Sequence, residues 1–168
     1  KSQIIRSMKQ SGWAEAEPLS PQSIIKMIYS TVFKKSYPNA PVSSLFLFSR
    51  KQDFAFQQEV NQNPHARHHI RFWRVPKGWK LPGGHKVDWL AAATFDRRVG
   101  FSFFTLQMTH RIEKLIDIER DYIIDALKDS DSIKSVEIVK DFSVAYHSRN
   151  GGGDAFRTDG AMPFIVLK

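Results

Sequence analysis

A pattern with a period of two residues recurs along the chain and limits its possible folds more than any other feature. Seven runs with this pattern predict β-strands, namely residues 45–48, 54–56, 68–75, 89–95, 101–112, 136–146 and 164–167. Three amphipathic segments lie unevenly among these runs and predict helices. Such uneven interleaving is typical of an α+β domain with a mostly antiparallel sheet. We therefore expect one domain over residues 1–168, with two or three helices packed on one face of the sheet.

The three predicted helices have recognisable ends. The first runs from about residue 3 and ends before Gly12. The second begins with Ser20, which can cap it, and Pro21, which suits the first helical position, and it carries an apolar stripe over residues 24–32. The third begins after Asp117, which we expect to act as its cap.

Charge and composition narrow the classes of partner and of site. The 25 Lys and Arg residues exceed the 17 Asp and Glu residues by 8. Residues 1–89 hold 14 basic and 5 acidic residues, whereas residues 90–168 hold 11 and 12, so the excess lies in the first half. The imbalance indicates an anionic partner. The absence of cysteine excludes disulfides, thiol nucleophiles and cysteine-based zinc sites.

The predicted strand around residues 65–74 carries the most informative pattern. Alternation places Arg67, His69 and Arg71 on one face, together with Trp73, while His68, Ile70 and Phe72 face the other way. The second face is typical of a core. The first offers a row of cationic donors that could hold a phosphate or carboxylate, or it could be an exposed basic face of the sheet. A zinc site is less favoured, because adjacent histidines on a strand diverge.

Three further segments could contribute to such a site. Residues 96–100 read as a turn between two strands, where Asp96 could orient a histidine or arginine and Arg97 could bind an anion. His110 lies on an apolar strand face and is either a core residue or a general acid or base. A glycine-rich segment could bind an anion through its backbone N–H groups or could simply connect a hairpin; its candidate residues are Arg149, Asn150, Gly152 and Asp154.

A series of motifs runs along the chain in the order Gly12-Trp13, Tyr37-Pro38-Asn39-Ala40-Pro41, Leu45-Phe46-Leu47-Phe48, residues 50–57 and 67–74, Ala91-Ala92-Ala93-Thr94-Phe95-Asp96-Arg97, Thr109-His110, Ile118-Glu119-Arg120-Asp121, residues 149–154 and Thr158-Asp159-Gly160. In that order they resemble the LssY C-terminal domain family of bacteria, from about residue 12 to the end. The chain departs from the family pattern at Arg111, where a second histidine is expected, and at Leu106, where a glycine is usual.

The resemblance implies a membrane context but no secure activity. In the family that this chain resembles, such domains look like appendages of membrane proteins. Some follow DedA-like or PAP2-type phosphatase regions, and others follow a single N-terminal membrane helix. The chain also begins without an initiator methionine. We therefore expect a piece of a longer, membrane-anchored protein, with this domain on the extracytoplasmic, periplasmic side.

These inferences lead to one expected function and several alternatives. We expect an accessory domain that binds an anionic lipid or a phosphorylated small molecule through Arg67, His69 and Arg71, closed by residues 96–97 and the glycine-rich segment. The first alternative is a phosphoester hydrolase, in which His69 or His110 acts as acid or base and Asp96 or Asp154 orients it. The second is a structural domain that docks on membrane-protein domains. Nucleic-acid binding is disfavoured because no reading motif is present, and no cofactor or metal is implied.

Overall fold

The computed structural model describes residues 1–33, 35–61, 63–102, 107–112, 114–143, 146–149 and 155–168. Within these ranges it describes the backbone alone for residues 63–65, 97–102, 107–112 and 148–149. His110, Arg97 and Arg149 belong to this backbone-only part, and Asn150, Gly152 and Asp154 lie outside the described residues.

Three helices and eleven strands make up the described chain. The helices are α1 (Ser2–Gln10), α2 (Pro21–Val32) and α3 (Ile116–Asp129), and one short 3-10 turn covers Pro82–Gly84. The strands are β1 (Ala14–Glu15), β2 (Phe46–Leu47), β3 (Arg50–Lys51), β4 (Phe54–Val60), β5 (Asn63–Arg74), β6 (Trp89–Ser102), β7 (Gln107–Ile112), β8 (Ile133–Val139), β9 (His147–Arg149), β10 (Ala155–Arg157) and β11 (Met162–Leu167).

A five-stranded antiparallel sheet forms the centre of the fold, in the order β1-β4-β5-β6-β7. Three two-stranded antiparallel sheets accompany it: β8 with β11, β9 with β10, and β2 with β3. The predicted α+β class with a mostly antiparallel sheet is therefore confirmed. Strand β5 lies in the middle of the sheet, so the side chains on both of its faces have neighbours on two sides.

One face of the central sheet carries the apolar core. On β5 it presents Ile70 and Phe72, which pair across the strands with Phe56 and Phe54 of β4. Helix α1 adds Ile4 and Met8 to this cluster, and α3 adds Ile123 and Leu127. Burial of these side chains removes apolar surface from water, at about 25 cal/mol per Å², so α1 and α3 pack here because their apolar sides match this face.

Helix α2 begins as the sequence predicts but packs differently. Ser20 and Ser23 form a capping box, and Pro21 occupies the first turn. The helix contacts β5 and β6, yet none of its residues joins the apolar core cluster. The segment that follows it, residues 36–43, bonds to side chains on the other face of the sheet.

The predicted turn at residues 96–100 is wrong. Strand β6 continues through these residues, and it pairs with β7 so that Val99 lies opposite His110 and Gly100 opposite Thr109. A shift in register between Asp96 and Arg98 accommodates the extra residue, as in a β-bulge. Charged residues and glycine suggest a turn locally, but pairing with a distant strand overrides that preference.

The predicted cap of α3 is also wrong. The helix begins after Leu115, whose side chain makes no capping bond. Asp117 instead accepts hydrogen bonds from Thr158 Oγ1 at 2.8 Å and from the Asp159 backbone N–H at 2.7 Å. Its carboxylate therefore holds the turn before β11 against the helix, rather than satisfying the N–H groups of α3.

Of the helices in the described ranges, none has the length and apolar character that crossing a bilayer requires.

Candidate functional site

The cationic row that the sequence singles out lies together, but it is enclosed. Arg67, His69 and Arg71 project from the face of β5 opposite the apolar core, and Asp96 of β6 pairs with Arg67 across the strands. Each of these four residues is at most 5% exposed. We call this group, with Gln57 and Glu59 of β4, the buried polar face. The structure thus confirms how the two faces of this strand divide, and it places protein over both of them.

Arg67 is neutralised inside the buried polar face. Its guanidinium lies 3.2 Å from Glu59 Oε1 and donates to Gln57 Oε1 at 3.1 Å. The Glu59 carboxylate also accepts hydrogen bonds from Ser36 Oγ and from the Tyr37 backbone N–H. Burial lowers the pKa of Arg67, and the charges of Glu59 and Asp96 oppose that effect. Such pairing offsets the cost of taking a charge out of water.

Arg71 and Gln57 fasten the covering segment to the sheet. Arg71 donates from Nε to the Ser43 carbonyl at 3.0 Å and from Nη2 to Ser43 Oγ at 3.1 Å. Gln57 Nε2 donates to the carbonyls of Pro38 and Ala40, both at 2.7 Å. Burial lowers the pKa of Arg71 to about 10, against the opposing charge of Asp96. These donors are therefore aimed at the chain's own backbone rather than at solvent.

The acid–base pair that the hydrolase alternative needs is present in part. His69 Nε2 lies 3.4 Å from Asp96 Oδ2, with both side chains at most 7% exposed. A general base must come within hydrogen-bond reach of the proton that it takes from the substrate. Residues 36–43 cover this face, so a substrate would need them to move. The roles predicted for His110 and Asp154 concern side chains outside the described part, and the hydrolase remains a prediction.

No group of three or more histidine, aspartate or glutamate side chains in the described part of the chain is arranged to hold a metal ion.

A second, open site lies at the other end of β5, beside the proline- and glycine-rich residues 76–86. It is a groove of about 860 Å³ between β3, the end of β5 and the connection from β5 to β6. We call it the basic groove. Five basic residues line it, namely Arg50, Arg74, Lys77, Lys80 and Lys86, together with the carboxylates of Asp53 and Asp88.

The charges of the basic groove are unevenly matched. Asp53 Oδ2 accepts from Arg50 Nη1 at 2.8 Å and from the Arg74 backbone N–H at 2.7 Å. Burial opposes ionisation of Asp53, but these hydrogen bonds outweigh it and lower its pKa. Within the described ranges, the side chains of Arg74, Lys77, Lys80 and Lys86 form no salt bridge. The groove therefore keeps a surplus of positive charge.

Local sequence explains the shape of the groove wall. The Val75 backbone N–H donates to the Asp88 carbonyl at 2.9 Å and closes the connection at its base. Gly78 adopts a φ of +83°, which residues with a Cβ rarely adopt. Trp79 packs edge-on against Phe48 with ring centroids 5.1 Å apart, and Leu81 is 7% exposed. These contacts fix the conformation of the proline- and glycine-rich connection, and its lysines line the groove.

The sequence offered one signal for the basic groove. The proline- and glycine-rich connection holds three lysines and a tryptophan in the ten residues from Lys77 to Lys86. Arg50 and Arg74 could not be added to them in advance, because they come from two other segments of the chain. Only the pairing of β5 with β6 and the short β2–β3 hairpin bring all five together.

Comparison with known proteins identifies the family. Residues 1–162 match the family described as the LssY C-terminus. No curated protein and no solved structure matches the chain. The match covers nearly the whole chain and agrees with the resemblance that the motifs indicate. The chain belongs to the LssY C-terminus family.

Proposed function

We propose that this domain binds a phosphate-bearing anion in the basic groove. The observation that carries the proposal is the set of four cationic side chains without a salt bridge in the described ranges, Arg74, Lys77, Lys80 and Lys86, around one open volume of about 860 Å³. The anionic class of ligand is the one expected from the net charge. The place differs from the expected one, since the groove uses residues other than Arg67, His69 and Arg71.

Phosphate is the anion that this donor set favours. Lysine and arginine both form charge-assisted hydrogen bonds with phosphate oxygens, and such bonds are about twice as strong as neutral ones. The volume exceeds what a lone inorganic ion needs and leaves room for the group that bears the phosphate. Trp79, which is 39% exposed, offers an apolar surface at the same groove.

The enclosure of the buried polar face supports placing the ligand in the basic groove. Arg67 and Arg71 already donate to Gln57, Glu59 and Ser43, so an anion there would have to displace contacts within the protein. In the basic groove, Arg74, Lys77, Lys80 and Lys86 form no salt bridge with the described residues, so an anion there has no such contact to displace. Electrostatic attraction then acts without the cost of opening the fold.

Calorimetric titration with glycerol 3-phosphate tests the proposal. The double variant Lys77→Gln/Lys80→Gln removes two groove cations, and we expect affinity to fall at least about tenfold, because hydrogen bonds to charged groups each contribute about 1.5–3 kcal/mol. The matched control is Lys134→Gln/Lys140→Gln, which changes the same charge on and just beyond β8, outside the groove lining. Its affinity should stay within about twofold of the native value.

Two results would overturn the proposal. One is the absence of heat and of binding with glycerol 3-phosphate and also with vesicles that contain phosphatidic acid. The other is an equal loss in both double variants, which would indicate a response to overall charge alone. A second arm separates the sources of the phosphate: binding to phosphatidic acid vesicles without binding to glycerol 3-phosphate indicates a lipid headgroup, and the reverse indicates a soluble phosphorylated molecule.

A further inference from the structure

Helix α2 has the opposite burial pattern to an ordinary surface helix: small polar residues are buried and most large apolar residues are exposed. Its buried residues are Ser23, Ser30 and Thr31. Met27 and Ile28 are half-buried, but the other large apolar side chains face solvent: Ile24 is 39% exposed, Ile25 67%, Tyr29 48% and Val32 54%, and Phe33, which ends the helix, is 60% exposed. A surface helix normally points its apolar stripe at the core. Most of the apolar surface of α2 is therefore left uncovered by the described protein.

The exposed residues form one continuous stripe. Ile25, Tyr29 and Val32 are spaced by four and three residues, and Phe33 follows four residues after Tyr29, so they lie on one side of the helix. The Tyr29 and Phe33 rings are in contact, with centroids 4.5 Å apart. Lys35 Nζ lies 3.2 Å from Tyr29 Oη at the end of the stripe. We call this set of four apolar residues the α2 stripe.

The segment that contains the α2 stripe combines apolar exposure with positive charge. Residues 18–52 hold five Lys and Arg residues and no Asp or Glu. Two of the five form ion pairs with carboxylates just outside the segment, Lys26 with Glu17 and Arg50 with Asp53. The same segment supplies nine of the sixteen large apolar side chains that are exposed in the described part of the chain. Exposed apolar and aromatic side chains close in sequence to basic residues are features of segments that lie in a membrane interface.

We propose that the α2 stripe inserts into the interface of a lipid bilayer that carries anionic headgroups. The apolar side chains enter the boundary of the acyl chains, and the positive charge of the segment is attracted to the negative headgroups. Charge decides between a bilayer and a second copy of this chain. Two copies meeting through this acid-free segment would bring like charges together, whereas an anionic bilayer is complementary to it.

The hairpin of β2 and β3, later in the same segment of the chain, also combines exposed apolar residues with positive charge, and it lies at the basic groove. Phe46 is 67% exposed, whereas Phe48 packs against Trp79 of the groove. Arg50, the first residue of β3, lines the groove itself. Exposed apolar residues therefore stand next to a site with surplus positive charge. The insertion rests on the α2 stripe and on the charge of residues 18–52, and it does not require the proposed phosphate site.

A single labelled cysteine reports insertion directly, because the chain has no cysteine of its own. Ile25→Cys carrying an environment-sensitive fluorophore should shift its emission to the blue on addition of phosphatidylglycerol vesicles. Ile138→Cys is the matched control, since Ile138 is 52% exposed on β8. Its emission should not shift. Equal shifts at both positions, or no shift at position 25, would overturn the proposal.

Co-sedimentation with the same vesicles measures the contribution of the stripe. We expect Ile25→Ser/Phe33→Ser to weaken binding about tenfold or more, because burial of large apolar side chains drives insertion. The control Ile138→Ser/Val166→Ser should bind like the native chain. Retention of glycerol 3-phosphate binding by the stripe variant would separate this test from that of the groove.

The other possible occupants of the stripe give distinct results. A native chain that is dimeric by light scattering, and becomes monomeric in Ile25→Ser/Phe33→Ser without any vesicle binding by the native chain, would assign the stripe to a second copy. Vesicle binding that is equal in the native chain and the stripe variant would assign the lipid contact to another surface. Either outcome overturns the insertion.

Discussion

Arg67 and Arg74 lie seven residues apart on β5 and differ in both burial and ion pairing. Arg67 is 4% exposed and forms an ion pair with the buried carboxylate of Glu59. Arg74 ends the strand, lines the basic groove and makes no side-chain salt bridge with the described residues. Removing one partner of a buried ion pair leaves the other charge uncompensated, whereas an exposed arginine has water as its alternative partner. The two residues should therefore serve stability and binding respectively.

Alanine variants of the two arginines test this division. Arg67→Ala should lower the free energy of unfolding by about 3–5 kcal/mol, the usual cost of breaking a buried pair. Arg74→Ala should change it by less than about 0.5 kcal/mol, yet weaken the binding of glycerol 3-phosphate. Urea denaturation gives the first quantity and calorimetric titration the second. Full stability combined with lost phosphate binding in Arg67→Ala would move the anion site to the buried polar face.

The bounds of an element were predictable from the sequence where they depend only on neighbouring residues. The start of α2 follows from Ser20 and Pro21, because capping involves only residues of the first turn. The course of β6 through residues 96–100 did not follow, because it depends on pairing with β7. The outward direction of the α2 stripe did not follow either. An apolar stripe in a sequence indicates that something covers it and does not say what.

The cap of α2 should be energetically important because the helix gains little from core packing. The Ser23 backbone N–H donates to Ser20 Oγ at 3.1 Å, and the Ser20 backbone N–H donates to Ser23 Oγ at 2.9 Å. Ser20→Ala removes the oxygen that accepts the Ser23 N–H bond, and we expect a loss of about 1 kcal/mol in the free energy of unfolding. Urea denaturation measures it. Ser135→Ala, on the exposed side of β8, provides the comparison and should change stability by less than about 0.5 kcal/mol.

At the scale of the whole molecule, the sequence predicted which side of a strand each residue occupies better than it predicted whether that side is covered. Alternation along β5 separated His69 from Ile70 correctly, because the pleat of a strand fixes the side of each residue. Whether a face is open depends on which distant segment lies over it. Residues 36–43 close the buried polar face through contacts that span 17 to 28 positions in sequence, whereas residues 75–88 leave the basic groove open. No local pattern encodes such contacts.

The same kind of distant contact ties α3 to the turn between β10 and β11, and it should give the fold a dependence on acid. Arg120 donates to both carboxylate oxygens of Asp159, at 2.7 and 3.1 Å, and this hydrogen bonding lowers the pKa of Asp159. The folded state therefore keeps Asp159 ionised at a pH where the unfolded chain, with an aspartate pKa of about 3.9, takes up a proton. The stabilisation is complete above that pH and is lost as the pH falls through the lower, folded pKa.

Asp159→Asn should remove this contribution. At pH 7 we expect the variant to be less stable by no more than about 1 kcal/mol, because Asp159 is half exposed and solvent screens the pair. The difference from the native chain should shrink below about pH 4, where the native carboxylate also loses its charge. Urea denaturation across that range measures it, with Glu137→Gln on β8 as the comparison for removal of one negative charge. A difference that stays constant from pH 7 down through the acid range would show that Asp159 acts through its shape and not through its charge.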